Sequence, residues 1–194
     1  MNALFPIFLK LESIKTLIVG GGNVGLEKIT NILKSSPSAN IILVAREIHP
    51  EIRTLAKAHP NVELVERNFR LWDLWSADLV LLATNNRETN QSILRFAKTR
   101  GLLVNVADTP DLCDFYLGSV VTKGELKVGI STNGKSPTIA KRFREFLEEA
   151  IPEDTNQLLD NMNGIREKVK GDLGEKVRVL NEVTKDFLKK REKS

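Results

Sequence analysis

The ten residues Thr16-Leu17-Ile18-Val19-Gly20-Gly21-Gly22-Asn23-Val24-Gly25 decide how this chain folds. A short β-rich run leads directly into a G-x-G-x-x-G pattern, and from Val24 onward the apolar residues recur at helical spacing. In such a pattern Gly20 permits a tight turn, Gly22 lets a pyrophosphate approach the backbone, and Gly25 lets helix and strand pack closely. Preceded by a strand and followed by a helix, the pattern predicts a dinucleotide-binding turn, with a plain tight turn as the alternative.

Strands and helices alternate along the first half of the chain. Apolar β-rich runs separated by helical patterns are typical of right-handed βαβ units on a parallel sheet. We therefore predict an α/β fold with a Rossmann-like, doubly wound parallel sheet of five strands. The predicted strands cover 16–19, 41–44, 62–65, 79–83 and 102–105, and the predicted helices cover 24–35, 49–58 and 87–100.

The pattern changes after the fifth strand. Two β-rich runs, 115–122 and 126–131, are joined by Lys123-Gly124, which predicts a hairpin that extends the sheet or pairs with another subunit. Ser136-Pro137 then opens a helix with Ser136 as its N-cap.

The rest of the chain indicates a small helical region. Amphipathic helices are expected over 158–169 and 175–190, and the basic residues 189–193 are expected to form a frayed helix end. We predict three segments, namely a Rossmann domain over 1–112, a dimerisation and substrate segment over 113–151, and a helical region over 152–194.

Composition narrows the classes of partner. The 194 residues carry 29 Lys and Arg against 25 Asp and Glu, so the net charge of +4 comes from interleaved charges typical of a solvated surface. A nucleic-acid partner requires a continuous basic face with aromatic residues, whereas Trp72 and Trp75 stand beside Asp73 and are expected in the core or in a lid. No apolar run approaches the ~20 residues of a membrane span. We expect neither a nucleic-acid nor a membrane partner.

The single cysteine and the N-terminus indicate the compartment. Cys113 alone cannot build a disulfide framework, and it supplies only one thiolate to any metal site. Residues 1–10 lack a basic lead and a small-residue cleavage site, so we expect no signal peptide. These features predict a cytoplasmic protein without a metal centre.

Two loops at strand ends are candidates for contacts with a dinucleotide. Arg46 and Glu47 follow the second strand, where Glu47 is placed to hold a ribose hydroxyl and Arg46 to accept a 2′-phosphate, so NAD and NADP both stay open. Thr84 and Asn85 follow the fourth strand and are expected to border the nicotinamide half, unless Asn85 or Asn86 simply caps the next helix.

Asp108 is the candidate catalytic residue. It follows the fifth strand and faces the same predicted crevice, where a carboxylate can act as a general acid or base. The alternative is a turn aspartate ahead of Pro110.

A polar loop and a basic cluster suggest an anion site. Residues 131–137 contain hydroxyl and amide side chains and end at a predicted helix N-terminus, and four basic residues occur before the first acid, Glu145. Hydroxyls, a helix dipole and clustered bases attract carboxylates or phosphates, although a capped helix with a basic face would look the same. The candidate contacts are Thr132, Asn133, Lys135, Ser136 and Arg142.

Taken together, these motifs resemble the precorrin-2 dehydrogenases of sirohaem synthesis, which include the amino-terminal half of sirohaem synthase. The resemblance extends over nearly the whole chain, and the ordered set is more specific than the glycine pattern alone. It rests on Leu4-Phe5-Pro6-Ile7-Phe8-Leu9, Ile18-Val19-Gly20-Gly21-Gly22-Asn23-Val24-Gly25, Ala83-Thr84-Asn85, Asn105-Val106-Ala107-Asp108 and Ile130-Ser131-Thr132-Asn133-Gly134-Lys135-Ser136-Pro137.

The resemblance implies oxidation of precorrin-2 to sirohydrochlorin, with hydride passing to NAD. It implies that Asp108 is the general base, that Asn23-Val24 forms the cofactor turn, that Arg46-Glu47 contacts the adenosine side, and that Thr132 lies near the substrate. It also implies a homodimer formed through residues 115–131, and for some family members the insertion of ferrous iron into sirohydrochlorin.

Two departures from the family pattern and one rival interpretation complete the prediction. Gly25 stands where many family members have alanine, which restores the general dinucleotide pattern. The methyltransferase half of sirohaem synthase is missing, so we expect this chain not to make precorrin-2 itself. The rival interpretation is a regulatory module that binds NAD without chemistry, which would have no use for Asp108 or for the basic loop.

Overall fold

The structure is a computed structural model that describes residues 4–169 and 172–185. The described chain forms two compact units. The first contains residues 4–119 and 131–140, and the second contains residues 120–130 and 141–169 together with 172–185. The three-segment division expected from the sequence stays a prediction.

A five-stranded parallel sheet forms the centre of the first unit and confirms the predicted doubly wound fold. Its strand order is β3-β2-β1-β4-β5, and every neighbouring pair is parallel. The strands are β1 Lys15–Val19, β2 Asn40–Ala45, β3 Val62–Glu66, β4 Leu79–Leu82 and β5 Leu103–Val106. The helices that connect them are α1 Asn23–Ser35, α2 Pro50–Ala58 and α3 Arg87–Thr99, with two 3₁₀ helices, Leu71–Ser76 and Pro110–Leu112.

Two apolar clusters cover the two faces of this sheet. Ile18 of β1 packs in one cluster with Ile29 of α1 and Ile52 of α2, and all three are fully buried. Leu17 of β1 packs in the other with Ile93 of α3. Successive side chains of a strand point to opposite faces, so a strand covered on both sides needs a continuous apolar run. That requirement explains why the central strands contain no alternating polar residues.

The connection between β3 and β4 contains the 3₁₀ helix Leu71–Ser76, which the sequence analysis does not predict. Leu74 turns inward and is 1% exposed, while Trp72 and Trp75 are 60% and 74% exposed. Of the two places expected for the tryptophans, the core is therefore wrong, and the lid stays a prediction. Each indole is covered by an arginine instead, Arg70 over Trp72 at 4.9 Å and Arg100 over Trp75 at 5.3 Å from the ring centroid.

The second unit contains a separate hairpin and helices. Strands β6 Ser119–Lys123 and β7 Leu126–Ile130 pair with each other in their own two-stranded sheet, so the hairpin does not extend the five-stranded one. Gly124 adopts a φ of 57° at the turn, and the backbone N–H of Glu125 donates to Asn156 Oδ1 at 2.7 Å. The helices are α4 Pro137–Ala150, which begins in the first unit, α5 Thr155–Lys168 and α6 Leu173–Thr184.

The predicted end of the last helix at residue 190 and the frayed end at 189–193 lie outside the described residues. Within the part of the chain that is described, no helix combines the length and the hydropathy needed to cross a membrane.

One buried hydroxyl provides a test of this packing. Thr16 is 0% exposed, and its Oγ1 has no hydrogen-bond partner among the described residues. A buried polar group without a partner carries its desolvation cost uncompensated. Thr16→Val replaces the hydroxyl by a methyl group, and we expect the free energy of unfolding to rise by about 1 kcal/mol.

Urea denaturation followed by circular dichroism measures this change. Val80→Thr is the matched control, since Val80 is also 0% exposed and lies on the neighbouring strand β4. It should lower the free energy of unfolding by about 1–3 kcal/mol. A loss of stability in Thr16→Val would show that the hydroxyl is hydrogen-bonded after all.

Candidate functional site

The carboxyl ends of β1, β4 and β5 lie next to one another at one edge of the sheet. The chain leaves β1 towards β2 on one side and reaches β4 on the other, so the strand order reverses at β1. Ligands of open α/β sheets bind in the crevice outside the carboxyl ends of the strands at this switch point. Three loops therefore border the candidate site: the glycine loop after β1, the loop after β4 and the turn after β5.

Two glycines of the first loop are required by close backbone packing. Gly20 has a φ of 116°, and a Cβ placed on it would lie closer than 3.0 Å to the carbonyl oxygen of Ala83 after β4. A Cβ on Gly25 would approach the carbonyl oxygen of Gly20 equally closely, which brings α1 tightly against the turn. The roles that the sequence predicts for these two positions agree with this geometry.

Gly21 has a role that the glycine pattern does not predict, because it occupies a position where the pattern accepts any residue. A Cβ there would lie 2.5 Å from the carbonyl oxygen of Glu47 and 2.9 Å from Ala45 Cβ. The backbone N–H of His49 donates to the Gly21 carbonyl oxygen at 2.8 Å. The run of three glycines is the only sign of this contact in the sequence, and it ties the loop after β2 to the glycine loop.

Gly22 differs from its neighbours because it faces open space. A Cβ built on Gly22 meets no atom of the described protein within 4 Å. Gly22 is also the N-cap of α1, where no side chain caps the helix and no acidic residue stands in the first turn. The N–H groups of Asn23, Val24 and Gly25 therefore begin a helix that no side chain of the described residues caps. Open backbone at a helix N-terminus suits a pyrophosphate, so the residues present fit a dinucleotide.

Arg46 and Glu47 are both exposed directly after β2. Neither side chain forms an ion pair with another residue of the described chain. The backbone of Glu47 is held against Gly21, which places this pair beside the glycine loop. Both side chains stay predicted contacts of the adenosine side.

The loop after β4 is organised by its own hydrogen bonds. The Thr84 hydroxyl donates to Asn90 Oδ1 at 2.6 Å, and Asn90 Nδ2 donates back to the Thr84 carbonyl oxygen at 3.0 Å. Asn86 Oδ1 accepts from the Thr89 N–H at 2.9 Å and is the N-cap of α3. Asn85 lies between them and is exposed. Thr84 and Asn86 thus have structural partners, and the Asn85 amide is the group best placed to meet a ligand.

Asp108 stands in a left-handed turn immediately after β5. It is exposed and has a φ of 55°. Among the described residues only Asp108 and Asn133 combine a side chain larger than hydrogen with a positive φ. Asp and Asn adopt the left-handed conformation more readily than most other side chains, and residues held in this conformation are concentrated at functional sites. Both residues were already candidates on sequence grounds.

The polar loop 131–136 folds on itself ahead of α4. The Ser136 N–H donates to Thr132 Oγ1 at 3.2 Å, and the Thr132 hydroxyl donates to the Ser136 carbonyl oxygen at 3.1 Å. Ser136 Oγ accepts from the Ile139 N–H at 3.2 Å, so Ser136 is the N-cap that the sequence predicts. These bonds hold Asn133 at its positive φ of 55°.

The basic residues that follow differ in how they are paired. Arg142 donates to Glu145 at 2.9 Å, and Arg144 donates to Glu148 at 2.5 Å. Lys135 is exposed and forms no ion pair with any described residue. The sequence places all these charges together before the first acid, but spacings of three and four residues on one helix bring acids and bases into contact. Lys135 is therefore the stronger candidate for binding an anion, and Arg142 the weaker.

The two histidines have structural contacts. His49 Nδ1 accepts from the Glu51 N–H at 3.2 Å and caps α2, and His59 Nδ1 lies 3.2 Å from the carbonyl oxygen of Pro37. In the described ranges, no three side chains of His, Cys, Asp or Glu are grouped as they would be around a metal ion.

Comparisons with known proteins confirm the resemblance drawn from the motifs. Residues 7–119 match the family model described as "Putative NAD(P)-binding", and residues 123–150 match the model described as "Sirohaem biosynthesis protein central". The solved structure of SirC, a precorrin-2 dehydrogenase, superimposes with a TM-score of 0.70 at 25% sequence identity, covering 93% of this chain and 89% of SirC.

Siroheme synthases match this chain at higher sequence identity. The siroheme synthase of Psychrobacter arcticus is 36% identical over 86% of this chain, and that of Thioalkalivibrio sulfidiphilus is 34% identical over 86%. The match covers 30% and 33% of those two proteins, so the chain spans about a third of their length.

The open space at Gly22 yields a prediction about dinucleotide affinity. Gly22 has a φ of −83°, which alanine adopts without strain, so Gly22→Ala should fold normally. The added methyl group would stand where a pyrophosphate must approach the backbone. We expect the Kd for NAD, measured by calorimetric titration, to rise at least about tenfold, which corresponds to about 1.4 kcal/mol.

Two further glycine variants are compared with Gly22→Ala. Gly20→Ala should lower the melting temperature, because its Cβ overlaps the carbonyl of Ala83. Gly164→Ala is the matched control in α5, where an added Cβ also meets nothing within 4 Å, and it should leave the Kd for NAD unchanged. An unchanged Kd in Gly22→Ala would place the dinucleotide elsewhere.

Proposed function

Since the chain belongs to the NAD(P)-binding family whose model spans residues 7–119, we propose that it oxidises precorrin-2 to sirohydrochlorin with NAD as the hydride acceptor. The likeness to SirC and to siroheme synthases supports this choice of substrate. The observation that carries the proposal is local: Asp108, held at a positive φ, stands at the same sheet edge as the open backbone of Gly22.

The reaction removes two hydrogens from two different atoms of the macrocycle, so that a new double bond forms. One leaves as a hydride and the other as a proton, so the ring loses two electrons and the products are sirohydrochlorin, NADH and a proton. When bound, the nicotinamide ring supplies the acceptor for the hydride. Asp108 accepts the proton, because an exposed carboxylate beside the crevice is a suitable general base.

The glycine loop, together with the loops after β2 and β4, orients the dinucleotide. The backbone N–H groups that follow Gly22 receive the pyrophosphate. Glu47 would hold a ribose hydroxyl, Arg46 would lie on the adenosine side, and Asn85, next to Thr84, would meet the nicotinamide half. Asp108 follows β5 at the same edge of the sheet as these residues.

The loop 131–136 binds the substrate. Precorrin-2 carries several carboxylates, and a charged lysine without an ion pair among the described residues can pair with one of them. Lys135 fills this role, with Thr132, Asn133 and Ser136 shaping the loop around it and Arg142 as a further cation.

The proposal includes a homodimer in the cytoplasm, formed through residues 115–131 as the resemblance implies and extended by α4. Helix α4 exposes Ile139, Phe143 and Phe146 at 48%, 55% and 63%, and such exposed apolar groups on one helix favour contact with a second copy. Ferrous iron insertion, which the resemblance implies for some family members, stays a prediction, with the iron as a substrate.

Asp108→Asn tests the proposed general base. The amide keeps the size of the side chain but cannot accept the proton, so we expect kcat for NADH formation from precorrin-2 to fall by about 10²–10⁴-fold. The Kd for NAD should stay unchanged. The measurement is the near-ultraviolet absorbance of NADH after precorrin-2 and NAD are mixed with the protein.

Asp111→Asn is the matched control, because Asp111 is also exposed and lies three residues further along the chain. It should leave kcat close to that of the unmodified protein. Loss of NAD binding in Asp108→Asn would give Asp108 a different role. An unmodified protein that binds NAD and forms no NADH from precorrin-2 would support the rival regulatory module.

Lys135→Ala tests the proposed anion contact. Removing a cation that binds substrate and transition state equally raises KM and leaves kcat unchanged. We expect KM for precorrin-2 to rise about tenfold, the value of about 1.4 kcal/mol of binding. Steady-state kinetics at two salt concentrations measure the change, which should shrink as salt screens the pair.

Arg142→Ala and Lys57→Ala complete this series. Arg142→Ala should raise KM less than Lys135→Ala, because Arg142 already donates to Glu145. Lys57, an exposed residue at the end of α2, is the control and should not affect KM. If KM in all three variants equals that of the unmodified protein, the loop 131–136 is not part of the substrate site.

A further inference from the structure

The turn that contains Asp108 directly follows an edge strand of the sheet. β5 is the last strand of the sheet, so the N–H and C=O groups on its outer side have no strand to pair with. Buried or half-buried backbone groups of this kind need other partners. The residues that provide them also determine how firmly the turn after β5 is held.

The segment 113–115 supplies those partners. The Asp114 N–H donates to the Val104 carbonyl oxygen at 2.8 Å, and Asp114 Oδ2 accepts from the Val104 N–H at 2.8 Å. Two residues further along the strand, the Val106 N–H donates to Cys113 Sγ at 3.2 Å. Backbone and side-chain atoms of this short segment thus replace a sixth strand.

The Cys113 thiol reaches both ends of the Asp108 turn. Sγ lies 3.2 Å from the Val106 carbonyl oxygen and 3.4 Å from the Thr109 carbonyl oxygen, and its single proton can be donated to one of them at a time. The Thr109 N–H in turn donates to the Val106 carbonyl oxygen at 3.4 Å and closes the turn. Asp108, with its positive φ, lies between the two residues that the thiol contacts.

Asn105 holds the segment that carries the thiol. Its side chain is 6% exposed, and Nδ2 donates to the Phe115 carbonyl oxygen at 2.8 Å and to Cys113 Sγ at 3.5 Å. The motif containing Asn105 and Asp108 was singled out in the sequence, yet the proposed chemistry uses only Asp108. The hydrogen bonds of Asn105 give this second residue of the motif a structural role.

The protonation state of the thiol matches this arrangement. Burial raises the pKa of the Cys113 thiol above its ordinary value. The sulfur therefore keeps its proton at neutral pH and can donate to a carbonyl oxygen while it accepts from the Val106 N–H. A thiolate in the same place would face two carbonyl oxygens without a proton to share.

We propose that Asn105 and Cys113 are positioning residues for Asp108, which they hold in its left-handed turn at the mouth of the crevice. This inference rests on the proposed function, in which Asp108 is the general base. A carboxylate aimed by a turn of four residues is sensitive to small shifts, since a misplacement of about 1 Å can cost 10²-fold in rate.

Cys113→Ala removes the thiol and is the first test. We expect kcat for NADH formation to fall by about tenfold to a hundredfold, while KM for precorrin-2 and the Kd for NAD change by less than about twofold. Cys113→Ser restores a group that donates and accepts in the same place, so it should recover most of kcat. Asn105→Ala should lower kcat in the same direction.

Leu112→Ala is the matched control. Leu112 precedes Cys113, and its side chain packs against the apolar cluster of the α3 face. Its backbone N–H donates to the Thr109 carbonyl oxygen at 3.0 Å, a bond that the alanine variant keeps. It should lower the melting temperature and leave kcat unchanged. Where Cys113→Ala does not fold, Cys113→Val fills the volume of the sulfur without its hydrogen bonds and takes its place. A normal kcat in Cys113→Ala, or in Cys113→Val where that variant takes its place, would overturn the proposal.

Hydrogen exchange of the protein without ligands gives a readout that needs no activity. In Cys113→Ala the amides of 106–109 should exchange at least about tenfold faster than in the unmodified protein, while those of β1 keep their protection. Unchanged exchange at 106–109 would overturn the proposal whatever the kinetics show. If the unmodified protein forms no NADH, the proposed function fails, and exchange still decides whether the thiol holds the turn.

Discussion

The close approach of the Gly20 backbone to the carbonyl of Ala83 is the constraint on which the site depends. It lets the chain turn sharply at the end of β1 while β4 ends directly beside it. Any side chain at Gly20 would push the two strand ends apart, and α1 could no longer begin against the turn through Gly25. The crevice, the uncapped start of α1 and the alignment of the neighbouring loops all follow from that one contact between backbones.

The opposite border of the crevice is built in a different way. β5 is an edge strand, and its outer groups are satisfied by Cys113 and Asp114 rather than by another strand. Side-chain partners can be arranged more freely than a strand, so the chain can leave the sheet immediately after Val106 and place Asp108 in a left-handed turn. A continuous sixth strand would have imposed its own register on this turn. The edge position thus permits the geometry that the proposed chemistry uses.

The sequence predicted those features whose signals are local. The five strands and the glycine loop were correctly predicted because continuous apolar runs and a strand–glycine–helix pattern are visible within a few residues. The 3₁₀ helix at 71–76 was missed, since two tryptophans in an apolar segment suggest burial, and only packing shows that Leu74 is the buried residue. The φ of Asp108 could not be predicted, because its turn is closed by contacts with Cys113 across the loop. The spacing of three residues between Arg142 and Glu145 predicts their ion pair. The sequence analysis missed it because it considered only the order of the charges along the chain.

The hydrogen bonds of the polar loops divide the candidate residues into two groups. Thr84, Asn86 and Ser136 each have a partner within the protein, and their bonds fix the shape of the loops after β4 and before α4. A side chain already bonded in this way gains less from a ligand, since binding would exchange one hydrogen bond for another. The proposed function therefore assigns recognition to groups that have no side-chain partner among the described residues: the N–H groups after Gly22, the Asp108 carboxylate and the Lys135 ammonium. In the proposed function the charges of these three groups suit a pyrophosphate, a departing proton and a substrate carboxylate. Of the net positive charge of the sequence, chiefly the charge of Lys135 is therefore assigned to the binding of substrate.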